Sequence, residues 1–300
     1  MRINPLRERW ARGEVASCLW IDIGWPVSVE GLVKLPYDAF VLDLQHSLID
    51  RATAVNVLQA ISLGQGAPLV RVTQNDPAEI GFVLDAGAYG VICPQIETRE
   101  DCERFVAACR YAPRGTRSWG PVRGLLYGGP DYFQQYEKQI IKIALIETIK
   151  GVQNMRAIAA TPGLDMIYVG PNDLTIDHGG APTYIASDPR VTQAMDDSIA
   201  IAKEHGIVAG TYAGSVDVAK AAVAKGYALV SIGYAAKLMI KAAVEELFKV
   251  TVVDVNVLTT KPHEKSRNRK RGRIQGWTTP WKKAIVSVAP GDKIEFFEGV

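Results

Sequence analysis

Cysteine and histidine are scarce, with four of each in 300 residues. Cys18, Cys93, Cys102 and Cys109 form no Cys-x-x-Cys pair, which excludes a zinc-ribbon site and a cross-linked scaffold and leaves buried free thiols as the expectation. No apolar run reaches the length of a membrane-spanning helix. The first ten residues are rich in charge and lack the apolar centre of a signal peptide. A reducing, cytoplasmic compartment is therefore expected. The dinucleotide fingerprint Gly-x-Gly-x-x-Gly does not follow the first strand-like run, and no Gly-Lys-Ser/Thr phosphate loop appears.

What is present is apolar and regularly punctuated. Hydrophobic residues make up 48% of the chain, enough for one large core or two modest ones. Strand-like runs fall at 16–22, 39–44, 68–72, 90–93, 142–146, 165–169, 207–211 and 228–232. Helical patterns lie between them. Asp50, Asp76-Pro77, Thr98, Asp188-Pro189 and Ser215 supply helix starts, and Gly64, Gly87, Gly206 and Gly226 sit where left-handed ends are wanted. Eight β-then-α units in about 250 residues point to an α/β fold, a (β/α)8 barrel over residues 1–238. Residues 113–139 form one long connection of the kind used for lids or contact arms, and Arg114, Arg117 and Arg123 in it either reach an anionic substrate or face solvent.

The strand ends carry the chemistry. In a parallel barrel they form the catalytic face. The second run ends in Asp43, with Gln45 and His46 beyond it, and the third ends in Arg71. The fifth ends at Glu147, and the sixth leads into Gly170-Pro-Asn-Asp173. Two carboxylates with no thiol and few imidazoles nearby favour an oxygen-rich site for a hard divalent cation. The alternative is that each acid caps the helix after it. His46, three residues from Asp43, is a candidate acid or base. Arg71 presents a planar cation suited to a carboxylate or enolate oxygen, or else pairs internally with an acid. A Schiff-base mechanism needs a lysine at a strand mouth. Lys142 starts its strand and Lys150 lies past the end of it, so that mechanism is not expected.

Phe40-Val-Leu-Asp-Leu-Gln-His46, Val70-Arg-Val72, Asn75-Asp-Pro77, Leu84-Asp-Ala-Gly-Ala-Tyr-Gly-Val-Ile-Cys-Pro94, Ile146-Glu-Thr148 and Val169-Gly-Pro-Asn-Asp-Leu174 resemble the HpcH/HpaI family of metal-dependent (class II) pyruvate aldolases, macrophomate synthase types included. The resemblance covers about residues 5–237. It implies a divalent cation (Mg2+, Mn2+ or Co2+) on Glu147 and Asp173 that chelates a 2-oxo acid. It also implies Arg71 at the enolate oxygen, His46 held by Asp43 for proton transfer, and the substrate carboxylate on Gly170, Pro171 and Asn172. Trp20 and Tyr212 would shape the pocket for the aldehyde. Leu145 and Gln45 depart from the usual glutamine and glutamate, and leave both the aldehyde and an oxaloacetate decarboxylase activity open. Family members commonly form homo-hexamers.

Charge is uneven. Residues 251–300 carry ten Lys and Arg against five Asp and Glu, and the rest of the chain 24 against 27. Residues 239–300 read as a small α+β segment with a basic loop at 263–273. They resemble the C-terminal part of the large-subunit ribosomal protein of the peptide exit site, without that family's first helix and strand. The resemblance implies ribosomal RNA as a partner for Lys265, Arg267, Arg269, Lys270, Arg271 and Arg273, with Trp277 and Trp281 beside them. Three readings follow: a carbon–carbon lyase acting through a metal-bound pyruvate enolate, an RNA-binding protein whose barrel is a carrier, and a catalytically silent barrel.

Overall fold

The strand starts at 16, 39 and 67 are alanines, and the strand ends are polar. A computed structural model describes residues 1–183, 185–262, 264–269, 272–279 and 281–294, with only the backbone of 259, 264–269, 272–275 and 282 among them. Eight parallel strands close on themselves: β1 (Ala16–Ile21), β2 (Ala39–Asp43), β3 (Ala67–Arg71), β4 (Gly90–Cys93), β5 (Ile141–Ile146), β6 (Met166–Val169), β7 (Val208–Ala213) and β8 (Leu229–Tyr234). Their order in the ring is their order in the chain, with β8 paired to both β7 and β1. The eight expected strands are thus present, each end within two residues of the expected one.

Helices fill the connections: α1 (Pro5–Ala11), α2 (Pro26–Leu32), α3 (Arg51–Ile61), α4 (Pro77–Asp85), α5 (Arg99–Ala108), α6 (Val122–Gly128), α7 (Tyr132–Gln139), α8 (Ile149–Gln153), α9 (Met155–Ala159), α10 (Pro171–Asp177), α11 (Pro189–Glu204) and α12 (Val216–Lys225). The expected caps form. Asp50, Asp76, Asp188 and Ser215 each accept a first-turn N–H, and Thr98 makes a reciprocal capping box with Asp101. Gly87, Gly206 and Gly226 are left-handed, as a helix end requires. Gly64 is not; it is there because a Cβ would stand 2.8 Å from Val33.

Helix α1 closes the lower end of the barrel. Leu6 is fully buried against the strand-start alanines 16, 39 and 67, and Trp10 donates its indole N–H to the Ala228 carbonyl. Small residues at those starts leave room for the two side chains. The lower end is therefore packed, and the polar upper end is left for chemistry.

The connection at 113–139 is not a lid. Most of it folds into α6 and α7, and its arginines serve the scaffold. Arg117 is buried, with Nη2 on Asp85 (2.7 Å) and Nη1 on the Tyr132 hydroxyl (3.1 Å). Arg123 donates to the carbonyls of Ala86 and Leu58 and to Ser62, and Arg114 pairs with Glu137. None of the three reaches the strand ends, and Arg114 faces solvent at the edge of its ion pair. Arginine takes the two inner places, 117 and 123, because its fork satisfies several acceptors at once.

The chain divides into two compact units, 1–234 and 235–300. In the second, α13 (Ala235–Phe248) packs Ile240, Val244 and Phe248 against Val250, just after the helix, and against Val252, Val255, Val286 and Val288 of an antiparallel pair, β9 (Val252–Thr259) and β12 (Lys282–Val288). The expected basic loop is instead an antiparallel hairpin, β10 (Glu264–Arg269) with β11 (Gly272–Trp277). Lys265, Arg267, Arg269 and Arg273 lie on its strands; 263, 270, 271 and the last six residues lie outside the described residues.

If Arg117 is scaffold, replacing it with Met removes a buried partner of Asp85 and Tyr132 and should cost about 2–4 kcal/mol in urea unfolding. The Michaelis constant for any small anionic substrate should stay unchanged, which a substrate-binding arginine would not allow.

Candidate active site at the upper end of the barrel

Each strand delivers one or more residues to the upper end. Trp20 comes from β1, Asp43 from β2 with Gln45 and His46 just past it, and Arg71 from β3. Gln95 follows β4, Glu147 follows β5, Asn172 and Asp173 open α10 after β6, and Tyr212 and Tyr234 come from β7 and β8. The closed ring makes these sequence-distant groups neighbours.

Asp43 and Arg71 are register partners on adjacent strands, so their side chains emerge side by side. Arg71 Nε donates to Oδ1 (2.9 Å) and Nη2 to Oδ2 (2.7 Å), with both groups buried. The guanidinium carbon stands 4.4 Å from the centre of the Trp20 ring, an arrangement that attracts a cation to the ring face. Burial works against the Arg71 charge, but the hydrogen bond and charge of Asp43 outweigh it and raise the group above its ordinary value. The internal ion pair is therefore formed. Asp43 does not hold the His46 imidazole. Its Oδ1 also accepts the backbone N–H groups of Gln45 (3.1 Å) and His46 (3.3 Å), so it fixes the turn that carries the exposed His46. Arg71 outcompetes the imidazole because it brings a full charge and two parallel donors.

Glu147 is 4% exposed. Oε1 accepts the backbone N–H of Gln95 at 3.0 Å, and an added Cβ on Gly170 would stand 3.2 Å from Oε2. Burial, then the charge of Asp173, pushes the Glu147 carboxyl up to about 7, against the opposing pull of the Gln95 N–H and of Arg71. Glu147 caps nothing: Thr148 accepts from Gly151 and starts α8. Asp173 sits exposed in the first turn of α10, whose N-terminal residue, Gly170, has no side chain to cap with. Pro171 is buried at the first helical position, and Asn172 Oδ1 is buried without a partner.

The rest of the mouth is aromatic and amide. Trp20 meets Tyr168 edge-on at 6.4 Å and Tyr234 at 6.1 Å, and Tyr212 lies 5.5 Å from Tyr234. Gly210 makes this possible, since a Cβ there would stand 2.7 Å from the Tyr168 ring. Trp20 Nε1 and Gln45 Oε1 are buried without hydrogen-bond partners. Lys142 is bound at the lower end by Asp165 and the Ile140 carbonyl, and Lys150 pairs with Glu97 on the surface, so neither lies at the mouth. Burial pushes Cys18, Cys102 and Cys109 up to about 12 and Cys93 well above its ordinary value, which removes thiolate chemistry. A cavity of about 500 Å³ lies elsewhere, between α4 and residues 116–118, and holds none of the strand-end groups. Sequence reading missed Gln95, because what it contributes is a backbone N–H that any residue other than proline carries.

A cation fits this set. Glu147 and Asp173 are hard oxygen donors, both oxygens of Asp43 are already taken, and the unpartnered Asn172 oxygen lies beside Asp173. No group of three or more His, Cys, Asp or Glu with metal-holding geometry occurs among the described residues, so protein would supply two carboxylates and leave other positions open.

Three comparisons bear on the whole chain. A family model described as HpcH/HpaI aldolase/citrate lyase matches residues 16–242, and one described as ribosomal protein L23 matches 219–296. A hydroxypyruvate/pyruvate aldolase of Rhizorhabdus wittichii is 36% identical over 229 residues, 76% of this chain and 91% of that protein. A 5-keto-4-deoxy-D-glucarate aldolase of Klebsiella pneumoniae is 37% identical over 212 residues, covering 70% and 82%. The crystal structure of an HpcH/HpaI aldolase/citrate lyase family protein from Burkholderia cenocepacia superposes with a TM-score of 0.76 at 30% identity, over 82% of this chain and 98% of that one.

The raised Glu147 carboxyl gives a pH test. The folded chain holds a proton that the unfolded chain has released between about 4.5 and 7, so metal-free stability falls as pH rises through that window. Urea unfolding in chelator at pH 5 and 8 should show a loss of about 3 kcal/mol at most that Glu147→Gln does not share, and a divalent cation should restore it in the wild type.

Proposed function

This chain belongs to the HpcH/HpaI aldolase/citrate lyase family, and we propose that it is a carbon–carbon lyase acting on a 2-oxo acid through its enolate, with an aldehyde as the second reactant. The observation that carries this reading is the buried Glu147 carboxylate beside Asp173, across the mouth from a guanidinium fixed by Asp43 and Trp20.

Making or breaking the bond next to a ketone builds negative charge on the keto oxygen, and the barrier falls when fixed positive groups already face that oxygen. A divalent cation, magnesium or manganese by the hardness of the donors, held by Glu147 and Asp173 would supply Lewis-acid stabilisation of that charge. Arg71 supplies the second part. Pairing with Asp43 uses Nε and Nη2, fixes the plane of the guanidinium and leaves the Nη1 donors for the enolate oxygen. Of the peptide groups at 170–172, the Gly170 N–H is already given to the Ile146 carbonyl and Pro171 has none, so the Asn172 N–H in the first turn of α10 is the donor that receives the substrate carboxylate. His46, exposed on a turn that Asp43 anchors, takes or returns the proton of the aldehyde-derived hydroxyl. Trp20, Tyr212 and Tyr234 bound the second-substrate pocket and exclude water from the enolate. Oxaloacetate decarboxylation needs the same enolate and is open to the same residues.

A second reading has its own observation. The ribosomal match and the exposed Trp277 and Trp281 support binding of RNA by residues 239–300, alongside catalysis by the barrel of residues 1–238. Assembly into a homo-oligomer belongs to the proposal as well.

Exchange of pyruvate methyl protons into heavy water, followed by NMR, tests the first reading. Exchange should require Mg2+ or Mn2+, stop with excess chelator, vanish in Glu147→Gln and fall by about 100-fold in Arg71→Lys; exchange unaffected by chelator would refute it. For the second, retention on immobilised ribosomal RNA at low salt should disappear when residues 261–273 are deleted.

A further inference from the structure

We infer that Gln95 is a positioning residue for Glu147: its left-handed backbone aims the peptide N–H at Oε1 and so reserves Oε2 for a ligand in the barrel mouth. The proposal rests on the cation reading above. Among the described residues only Gln95 (φ 51°) and Lys249 (φ 52°) are non-glycine residues with positive φ, and Lys249 merely ends α13. A side chain pays for that conformation with contact between its Cβ and the following peptide, so it persists only where neighbours impose it.

The neighbours here are identifiable. Upstream, Cys93 at the end of β4 pairs with Ala144 of β5, and Pro94 stiffens the next bond. Downstream, Ile96 is fully buried and donates its N–H to the Leu145 carbonyl at 3.2 Å. Both anchors are bonded to β5, the strand that Glu147 follows. One residue must reverse the chain between them, and the left-handed form does so with its N–H 3.0 Å from Oε1. The Gln95 side chain is exposed, so the peptide rather than the carboxamide does the positioning. On the opposite side Gly170 lacks the Cβ that would stand 3.2 Å from Oε2. One oxygen is thus occupied by a donor, and the other faces a gap where a side chain is missing.

Substrate-free Mn2+ binding measured by calorimetry separates backbone from side chain. Gln95→Gly and Gln95→Asn tolerate the left-handed form and keep the N–H, and should bind within about threefold of wild type. Gln95→Val, branched at Cβ, should bind about tenfold more weakly, and Gln95→Ala, the substitute if the valine variant does not fold, should fall between. Equal losses in the glycine and valine variants would assign the effect to the carboxamide and overturn the proposal, as would wild-type affinity in Gln95→Val. In metal-free protein the Gln95 amide should exchange slowly with heavy water and lose that protection in Glu147→Ala. Fast exchange in the wild type overturns the positioning alone, whereas a wild type that binds no Mn2+ overturns the reservation of Oε2 together with the cation reading.

Discussion

The upper end of the barrel is organised by the cost of keeping one carboxylate, Glu147, out of water. An ionised acid at 4% exposure, next to a second acid, is unfavourable unless other groups compensate. The fold supplies partial compensation: one N–H from Gln95 and the more distant charge of Arg71. Neither suffices to keep the group in the usual carboxylate range. A site left in this state is short of positive charge, and the cation proposed above would offset both the burial penalty and the repulsion from Asp173. On the proposed reading catalysis and instability share one origin, since the groups that would hold the cation are those that destabilise the protein without it.

Arg71 and Asp43 complement that arrangement by the opposite logic. Their charges cancel, their register places them side by side, and Trp20 covers the guanidinium face. A buried pair of this kind adds little net stability, so its value lies in orientation. It holds a permanent cation at a fixed angle to the mouth while part of its donor set stays unsatisfied. Lysine at position 71 would keep the charge and lose the plane.

Much of this was legible in the sequence. The strands could be placed because each is a short apolar run bounded by a cap or glycine, and Asp43, Arg71, Glu147 and Asp173 stood out as polar residues ending such runs. Three things were not legible, for different reasons. Arg114, Arg117 and Arg123 could be read either as ligand-binding or as solvent-facing, because sequence records charge but not the acceptors around it; Asp85, Tyr132 and three carbonyl or hydroxyl oxygens decide the role of Arg117 and Arg123. The contest for Asp43 was invisible because His46 is three residues away in the chain and Arg71 is 28, whereas across the sheet Arg71 is the direct neighbour. Gln95 gave no signal at all, since φ is not written in a side chain.

The two family matches overlap at 219–242, over most of α12, β8 and the first half of α13, and the overlap has a structural consequence. The residue pattern resembles the ribosomal protein only from about 239, yet the match reaches back through a strand that the barrel already uses. β8 is hydrogen-bonded on both edges, to β7 and to β1, and cannot leave without opening the ring. The sheet of the second unit is therefore built from β9 and β12 alone among the described residues, with one helix on it. Two strands and a helix give a small core, here centred on three buried valines. Closure of an eight-stranded ring, by contrast, leaves no unpaired edge. Where one strand can complete only one sheet it stays with the barrel, and the small core of the second unit is expected to open at lower free energy than the closed ring.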